Sequence, residues 1–110
     1  DHTDLEYYIR FQNTGTDTAF KVVIIDTISS HLDIASLRVG ASSHAYTYEI
    51  YGNGIVKFTF DNILLPDSTT NNSASQGFVK YKIEQKANNP IGTIINNHAD
   101  IYFESLTAEL

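Results

Sequence analysis

The sequence has no cysteine, tryptophan or methionine, and only two prolines occur among its 110 residues. Without cysteine the chain forms no disulfide, no thiolate metal site and no cysteine nucleophile, so its hydrophobic core must hold the fold alone. A chain of this length is one ordinary domain, which buries about 65% of the surface of its unfolded state. We therefore expect a single domain over residues 1–110, with no stabilising cofactor.

Positive charge is scarce as well. Seven Lys and Arg stand against thirteen Asp and Glu, which gives a formal net charge of −6 at pH 7. The basic residues are scattered along the chain, whereas proteins that bind phosphate backbones cluster them. No apolar run approaches the ~18 residues that span a bilayer. The sequence therefore predicts neither a nucleic-acid partner nor membrane insertion.

The two ends of the sequence look like cuts in a longer chain. The charged start, DHTDLEYY, has no signal-peptide pattern, and the strand pattern is already under way at Asp4 and Leu5. We therefore expect a segment of a larger secreted or surface protein, whose targeting signals lie outside it.

Strand-forming residues are abundant, because the chain has seven Tyr and six Phe beside many Val, Ile and Thr. Apolar and polar residues alternate with a period of two, which is typical of half-buried strands. This alternation is found at residues 5–11, 56–60, 79–83 and 95–103.

Two further segments are harder to interpret. FKVVIIDTI, residues 20–28, is apolar on both faces at Val23 and Ile25. It is therefore either a central strand or one whose outer face meets another domain. HLDIASLRV, residues 31–39, lacks alternation until its end, and Asp33 could cap one helical turn over residues 33–36. We expect no longer helix.

The stretch AYTYEIYGNGIVKFTFD predicts a β-hairpin. A three-residue loop of Gly52, Asn53 and Gly54, with Gly54 in the left-handed region, pairs Tyr51 with Ile55. A two-residue turn would instead turn Glu49 toward the core beside the phenylalanines. A phosphate-binding interpretation of GNG is weaker, because no helix follows it.

Together these patterns predict the fold class. About seven short strands, with turn signals every 8 to 12 residues, are typical of an all-β, two-sheet Greek-key sandwich. The longest polar stretch, residues 61–77, is expected to connect the two sheets.

No catalytic motif is present. Serine, histidine and aspartate all occur, but no G-x-S-x-G elbow does, and GASS at residues 40–43 is the nearest approach. The sequence therefore predicts that the protein is not an enzyme and has no catalytic residues.

A metal site could be built on the last strand. Asn96, His98 and Asp100 alternate, so on a strand they project from one face. One imidazole, one carboxylate and one amide make a weak site, and a solvated polar face is the favoured interpretation.

A calcium site could be built in the long loop from the oxygens of Asp67, Asn71 and Asn72. Calcium prefers six to eight oxygen ligands and clustered carboxylates, so loop solvation is favoured. We predict no metal site in the chain.

The stretch FQNTGTDTAF contains a run of polar residues between two strands. Asn and Thr bond to the backbone in tight turns, and Gly15 can take a positive φ. A binding site would need charge or aromatic residues nearby, and the flanking Phe11 and Phe20 belong to the core pattern. We therefore interpret Asn13 and Gly15 as structural turn residues.

A family resemblance suggests a function. LEYYIRFQNTGTDTAFKVVIIDTI resembles the bacterial surface repeat known as domain of unknown function eleven. The resemblance lies in Asn13-Thr14-Gly15-Thr16, Ala19, Val22-Val23 and Asp26-Thr27-Ile28. The remainder is similar to a branch found before the C-terminal sorting domain of proteins exported by the type IX secretion system of Bacteroidetes. That similarity lies in EIYGNGIVKFTF, NILLPDS, ASQGFVKYKI and PIGTIINNHADIYFE. It covers about residues 4–104, and the residues after Glu104 depart from it.

The resemblance implies an immunoglobulin-like spacer or stalk domain outside the cell, without enzyme activity. Its partners would be neighbouring domains of the parent chain. The alternative is an adhesion module for carbohydrate or protein, which the outward tyrosines Tyr8 and Tyr102 would suit. O-glycosylation after Asp is also implied, and Ser68 in the long loop is expected to be the acceptor rather than Thr18 or Thr27.

Overall fold

The computed structural model describes residues 4–52, 54–87 and 89–105. Within these residues the chain is all-β, with seven strands and one 3₁₀ turn over Ser73–Ser75. The strands are β1 (Asp4–Gln12), β2 (Ala19–Thr27), β3 (Leu32–Ser42), β4 (Thr47–Tyr51), β5 (Ile55–Phe60), β6 (Gln76–Gln85) and β7 (His98–Ser105). Among the described residues there is no helix with the length and apolar character needed to cross a membrane.

The strands form two antiparallel sheets. The first sheet has the order β1-β6-β3, and the second has the order β4-β5-β2-β7. Every connection except the β4–β5 hairpin crosses from one sheet to the other. The predicted two-sheet sandwich of about seven strands is confirmed, and the long loop does join the two sheets.

The first and last strands lie on the sheets opposite to those of an immunoglobulin constant domain. In that domain the first strand pairs with the second, and the last pairs with the sixth. Here β1 pairs with β6 along its whole length, and β7 pairs with β2. The five strands between them keep the immunoglobulin neighbours.

The chain enters β1 at one end of the sandwich and leaves β7 at the opposite end. β1 begins at Asp4, opposite Glu84, at the end of β6 that leads to Lys86; Lys86 lines a surface cavity together with Gly52 and Gly54 of the hairpin loop. We call this the hairpin end. β7 ends at Ser105, opposite Ala19, beside the loop that follows β1. We call this the corner end.

The core lies between the inner faces of the two sheets. Alternation along β5 and β6 turns every second side chain inward, so Phe58 and Tyr81 are fully buried and their rings stack at 6.0 Å between centroids. Of the two interpretations of the segment FKVVIIDTI, the central strand is correct, because β2 lies between β5 and β7. Its outward Val23 is therefore only 8% exposed.

The β4–β5 hairpin has the predicted register. Tyr51 pairs with Ile55 and Tyr48 with Phe58. Glu49 pairs with Lys57 on the outer face and is exposed. Gly52 and Gly54 have φ values of 63° and 114°, and Asn53 lies outside the described residues.

The helical turn predicted at residues 33–36 is wrong, because these residues belong to β3. The Asp33 carboxylate accepts a hydrogen bond from the Ala35 amide at 3.1 Å, as a cap would. However, the Ser36 hydroxyl accepts from the Glu84 amide at 2.8 Å. A side chain thus replaces the backbone partner, and the pairing shifts register between Asp33 and Arg38. The result is a bulged strand.

The last strand starts later than predicted. Alternation suggested residues 95–103, whereas β7 begins at His98. A turn closed by the Thr93 amide on the Pro90 carbonyl, at 3.1 Å, precedes it. Ile95 still packs against the core.

Candidate functional site

Four polar residues are buried within the described part of the chain: Asn13, Asp26, Asp67 and Ser75. Three of them lie at the corner end, where the loop after β1 meets the β5–β6 loop. The fourth, Asp26, lies between the sheets. Because burying a polar group costs free energy unless it is hydrogen-bonded, these residues mark where the fold depends on specific contacts.

Asn13 joins the two loops of the corner end. Its side-chain amide donates to the carbonyls of Asp17 at 2.8 Å and Leu65 at 2.9 Å, and its Oδ1 accepts from the Gly15 amide at 3.1 Å. Its backbone amide donates to Ser75, and its carbonyl accepts from Ser68. Since every polar group of Asn13 has a protein partner, this residue holds the corner in place.

Gly15 has a different role from the predicted one. The positive-φ glycines of the described residues are Gly52, Gly54 and Gly92, so Gly15 does not use the left-handed region. A Cβ at this position would lie 3.3 Å from Asn13 Oδ1, which is closer than most Cβ contacts. Glycine fits here because the Asn13 side chain approaches its backbone closely.

The side chains of Asp67, Asn71 and Asn72 make hydrogen bonds to different partners. The Asp67 carboxylate accepts from the Thr70 hydroxyl at 2.8 Å and from its amide at 3.1 Å, and these bonds hold the pKa of Asp67 below its usual value. The side-chain oxygens of Asn71 and Asn72 accept hydrogen bonds elsewhere, from a backbone amide and a glutamine side chain. No group of three or more His, Cys, Asp or Glu that could hold a metal ion lies within the described ranges.

Two of the three side chains considered on the last strand do meet. His98 Nε2 lies 3.0 Å from Asp100 Oδ1, and both side chains are at least half exposed. Asn96 precedes β7 and lies outside the strand face that His98 and Asp100 share.

The GASS stretch places a serine beside a histidine. Ser43 Oγ lies 2.7 Å from His44 Nδ1 and also accepts from the Phe78 amide at 2.8 Å. A catalytic pair needs a third group that orients the histidine. No carboxylate accepts a hydrogen bond from His44 among the described contacts.

Ser68, the expected glycan acceptor, is half-buried, and its amide is bound to the Asn13 carbonyl at 2.8 Å. Thr18 and Thr27 are both exposed. Glycosylation of Ser68 stays a prediction.

A clamp of four residues connects the two sheets at Asp26. Tyr81 of the first sheet donates its hydroxyl hydrogen to Asp26 Oδ2 of the second sheet at 2.6 Å. The same hydroxyl oxygen accepts from Asn97 Nδ2 at 3.0 Å, and Asn97 Oδ1 accepts from the Ser29 amide at 2.8 Å. We call this chain of hydrogen bonds the inter-sheet clamp.

Burial raises the pKa of both titratable groups of the inter-sheet clamp. It raises the pKa of Asp26, against the lowering effects of the Tyr81 hydrogen bond and of His98. It also raises the pKa of Tyr81 far above its ordinary value, with Asp26 adding to the increase. Tyr81 therefore stays a neutral donor throughout the physiological range.

A cavity of about 220 Å³ lies beside the inter-sheet clamp. It lies between β1 and β7, which are edge strands of opposite sheets. Its walls are Tyr7, Tyr8, Ile9, Asp26, Tyr81, Asn97, His98 and Ala99. We call it the side cavity.

Sequence reasoning missed this site, although one signal was available. Val22, Ile24 and Asp26 share the inner face of β2, so the alternation itself places a carboxylate in the core. The partner Tyr81 is 55 residues away, and only the pairing of the two sheets brings the two side chains together.

The two outward tyrosines lie on different sheets. Tyr8, on β1, is 51% exposed, and its ring centroid lies 5.0 Å from Lys80 Nζ and 5.5 Å from Arg10 Cζ. Tyr102, on β7, is 52% exposed. The two do not share one sheet face.

Comparison with known families corrects the resemblance to domain of unknown function eleven. A model of a different family, described as domain of unknown function (DUF7619), matches residues 1–108. Of the residues that suggested the surface repeat, Asn13 lies at the corner end, Asp26 in the inter-sheet clamp and Val22 in the core. Comparisons with curated proteins and with solved structures gave no significant match. Because the family model covers nearly the whole sequence, the chain belongs to the DUF7619 family.

Proposed function

We propose that this is a non-catalytic spacer domain of a larger extracellular protein. The observation that supports it is the position of the two terminal strands. β1 starts at the hairpin end and β7 finishes at the corner end. Nine strand residues extend about 27 Å. Chain segments joined to the two strands would leave in opposite directions, as in a linear string of domains.

A spacer must keep its length, and the loops at the corner end are fixed by hydrogen bonds. Ala19 and Leu65 exchange two backbone hydrogen bonds of 2.8 Å, and the Ile63 amide donates to Phe20 at 3.0 Å. Asn13 ties the same loop to β1. These contacts support a domain that transmits a fixed distance between its neighbours.

The proposal is tested by fusing one fluorescent protein to each end of the chain and measuring single-molecule energy transfer. We expect one narrow population of low efficiency, unchanged between low and high salt. The control replaces the chain with a Gly-Ser linker of equal length, which behaves as a random coil and gives a broad distribution. A broad or high-efficiency population for the native chain would contradict the proposal.

The second candidate function is adhesion, and the surroundings of Tyr8 favour it. The ring of Tyr8 meets Phe78 edge-on at 5.2 Å between centroids and has two cations nearby, which together form an aromatic platform on the first sheet. Such platforms bind sugar faces or protein side chains.

A glycan array and a pull-down with the isolated chain test this second candidate. Binding that Tyr8→Ala abolishes and Tyr102→Ala leaves intact would establish adhesion over spacing. Absence of binding by the wild-type chain would contradict it.

A further inference from the structure

We propose that the side cavity is a binding site for a primary ammonium group, with Asp26 as its counter-ion. The inference goes beyond the spacer function and does not depend on it. It rests on the geometry of Asp26, on the chemistry of the cavity wall and on the position of the opening.

Asp26 is only 2% exposed, yet it uses one carboxylate oxygen for the inter-sheet clamp. Every fully buried side-chain oxygen or nitrogen in the described residues has a hydrogen-bond partner. The described hydrogen bonds to the Asp26 side chain involve Oδ2. Its Oδ1 therefore reaches the cavity that Asp26 lines. Oδ1 has no hydrogen-bond partner among the described residues, so it can accept a hydrogen bond from a ligand in the cavity.

The rest of the wall suits a cation with an alkyl stem. Tyr7 and Tyr81 stack at 5.2 Å between ring centroids, and Ile9 and Ala99 add apolar surface. An ammonium group donates up to three hydrogen bonds, and the carboxylate is the strongest acceptor on the wall. A cavity of about 220 Å³ has room for such a group with a short stem.

Other charges lie at the margins of the cavity. Lys80 and Arg10 are placed at the Tyr8 ring, and His98 is paired with Asp100 on the surface. The positive charges of Lys80 and Arg10 set a limit on the affinity of a cation. Asp26 lies deeper than they do, between the sheets, where water screens its attraction less.

The access route is the gap between β1 and β7. Both are edge strands, and no strand of the described residues joins them. A small amine, or a lysine side chain of another protein, would enter between the two edges.

Binding has a defined pH dependence. Burial raises the pKa of the empty Asp26, and an ammonium group binds its ionised form. Entry of the ligand therefore releases a proton where Asp26 is still protonated, and the affinity falls as the pH is lowered through the raised pKa.

The test is a two-dimensional NMR titration of the full chain with methylammonium chloride at pH 8, with sodium chloride as the ionic control. We expect saturable shifts at Asp26, Tyr81 and Ala99, and binding that weakens as the pH is lowered through the raised pKa of Asp26. Asp26→Asn, which can still accept from Tyr81, should weaken binding by about tenfold or more. Ala99→Leu fills the cavity and should also weaken binding, whereas Ala41→Leu on β3 should leave binding unchanged.

Equal shifts with sodium chloride, or full binding by folded Asp26→Asn, would overturn the proposal. Because Ala99→Leu leaves the carboxylate intact, it keeps the test decisive if Asp26→Asn does not fold. N-acetyl-lysine methylamide and its norleucine analogue identify the source of the ligand. Binding of the lysine compound alone indicates a protein side chain, and binding of methylammonium without it indicates a free amine.

Discussion

The hydroxyl of Tyr81 donates to Asp26 and accepts from Asn97, so its removal affects two partners at once. Tyr81→Phe should destabilise the protein by about 1–3 kcal/mol, because it leaves a buried carboxylate without its donor. Urea unfolding measures this loss. Tyr8→Phe, which removes an exposed hydroxyl, is the control and should change stability by less than about 0.5 kcal/mol. Equal stability of the two variants would show that the inter-sheet clamp contributes nothing.

The pKa values of the two buried aspartates are shifted in opposite directions, so their contributions to stability should change with pH in opposite directions. The folded pKa of Asp26 is raised, so its contribution to stability is fully present below about pH 3.9 and is lost as the pH rises through the folded value. The folded pKa of Asp67 is lowered by its Thr70 hydrogen bonds. Its contribution is present above about pH 3.9 and is lost as the pH falls through the folded value.

Unfolding free energies of wild type, Asp26→Asn and Asp67→Asn between pH 2 and pH 8 check these signs. Relative to wild type, Asp26→Asn should gain stability as the pH rises. Asp67→Asn should lose stability, relative to wild type, as the pH rises through the acidic part of the range. If the unfolding free energies of all three proteins change with pH in parallel, the directions of the two pKa shifts are wrong.

At the scale of elements, the β4–β5 hairpin depends on the backbone of Gly54. Its φ is 114°, and a Cβ there would lie 3.4 Å from the Ile28 carbonyl oxygen. Gly54→Ala should therefore cost about 1–3 kcal/mol. Gly40→Ala on β3 is the matched control, because Gly40 does not use the left-handed region and its Cβ would meet only ordinary contacts. Thermal unfolding of the two variants measures the difference in stability. Equal melting temperatures would show that Gly54→Ala introduces no backbone strain.

The two faces of β5 can be compared at adjacent positions. Phe58 is fully buried between Tyr81 and the Tyr46 ring, whereas Lys57 lies on the outer face opposite Glu49. Phe58→Ala should cost about 3–5 kcal/mol, and Lys57→Ala less than about 0.5 kcal/mol. Urea unfolding checks both, and similar losses would contradict the assignment of the faces.

Alternation and turn chemistry predict β1, β6 and the register of the hairpin, because these are local properties of the chain. The bulge in β3 escapes such reasoning, since Ser36 replaces a backbone partner on a strand nearly fifty positions away. The turn that Asn13 makes with Gly15 and Asp17 is local and was predictable, whereas its bonds to the β5–β6 loop were not. The inter-sheet clamp was not predictable, because it depends on which residue of the first sheet faces Asp26 of the second.

For the molecule as a whole, stability comes from one core between two sheets. The sequence has no cysteine, and the described residues contain no candidate metal cluster. The melting temperature should therefore be the same with and without a chelator or a reductant, as calorimetry can measure. A shift of many degrees with the chelator would mean that a metal ion contributes to the fold.

The assignment of β1 and β7 to sheets is also a property of the whole molecule. Both strands alternate in the same way, so their sequences fit either sheet edge. Only long-range pairing distinguishes the observed order from that of an immunoglobulin constant domain.

That order has a mechanical consequence. If the molecule is pulled by its two ends, β1 is drawn along its own axis past β6, and β7 is drawn the opposite way past β2. The hydrogen bonds of an antiparallel pair are perpendicular to the strands, so the load acts on all of them together rather than one at a time. A protein loaded in shear resists tension far better than one that is unzipped, and this arrangement loads both terminal strands in shear.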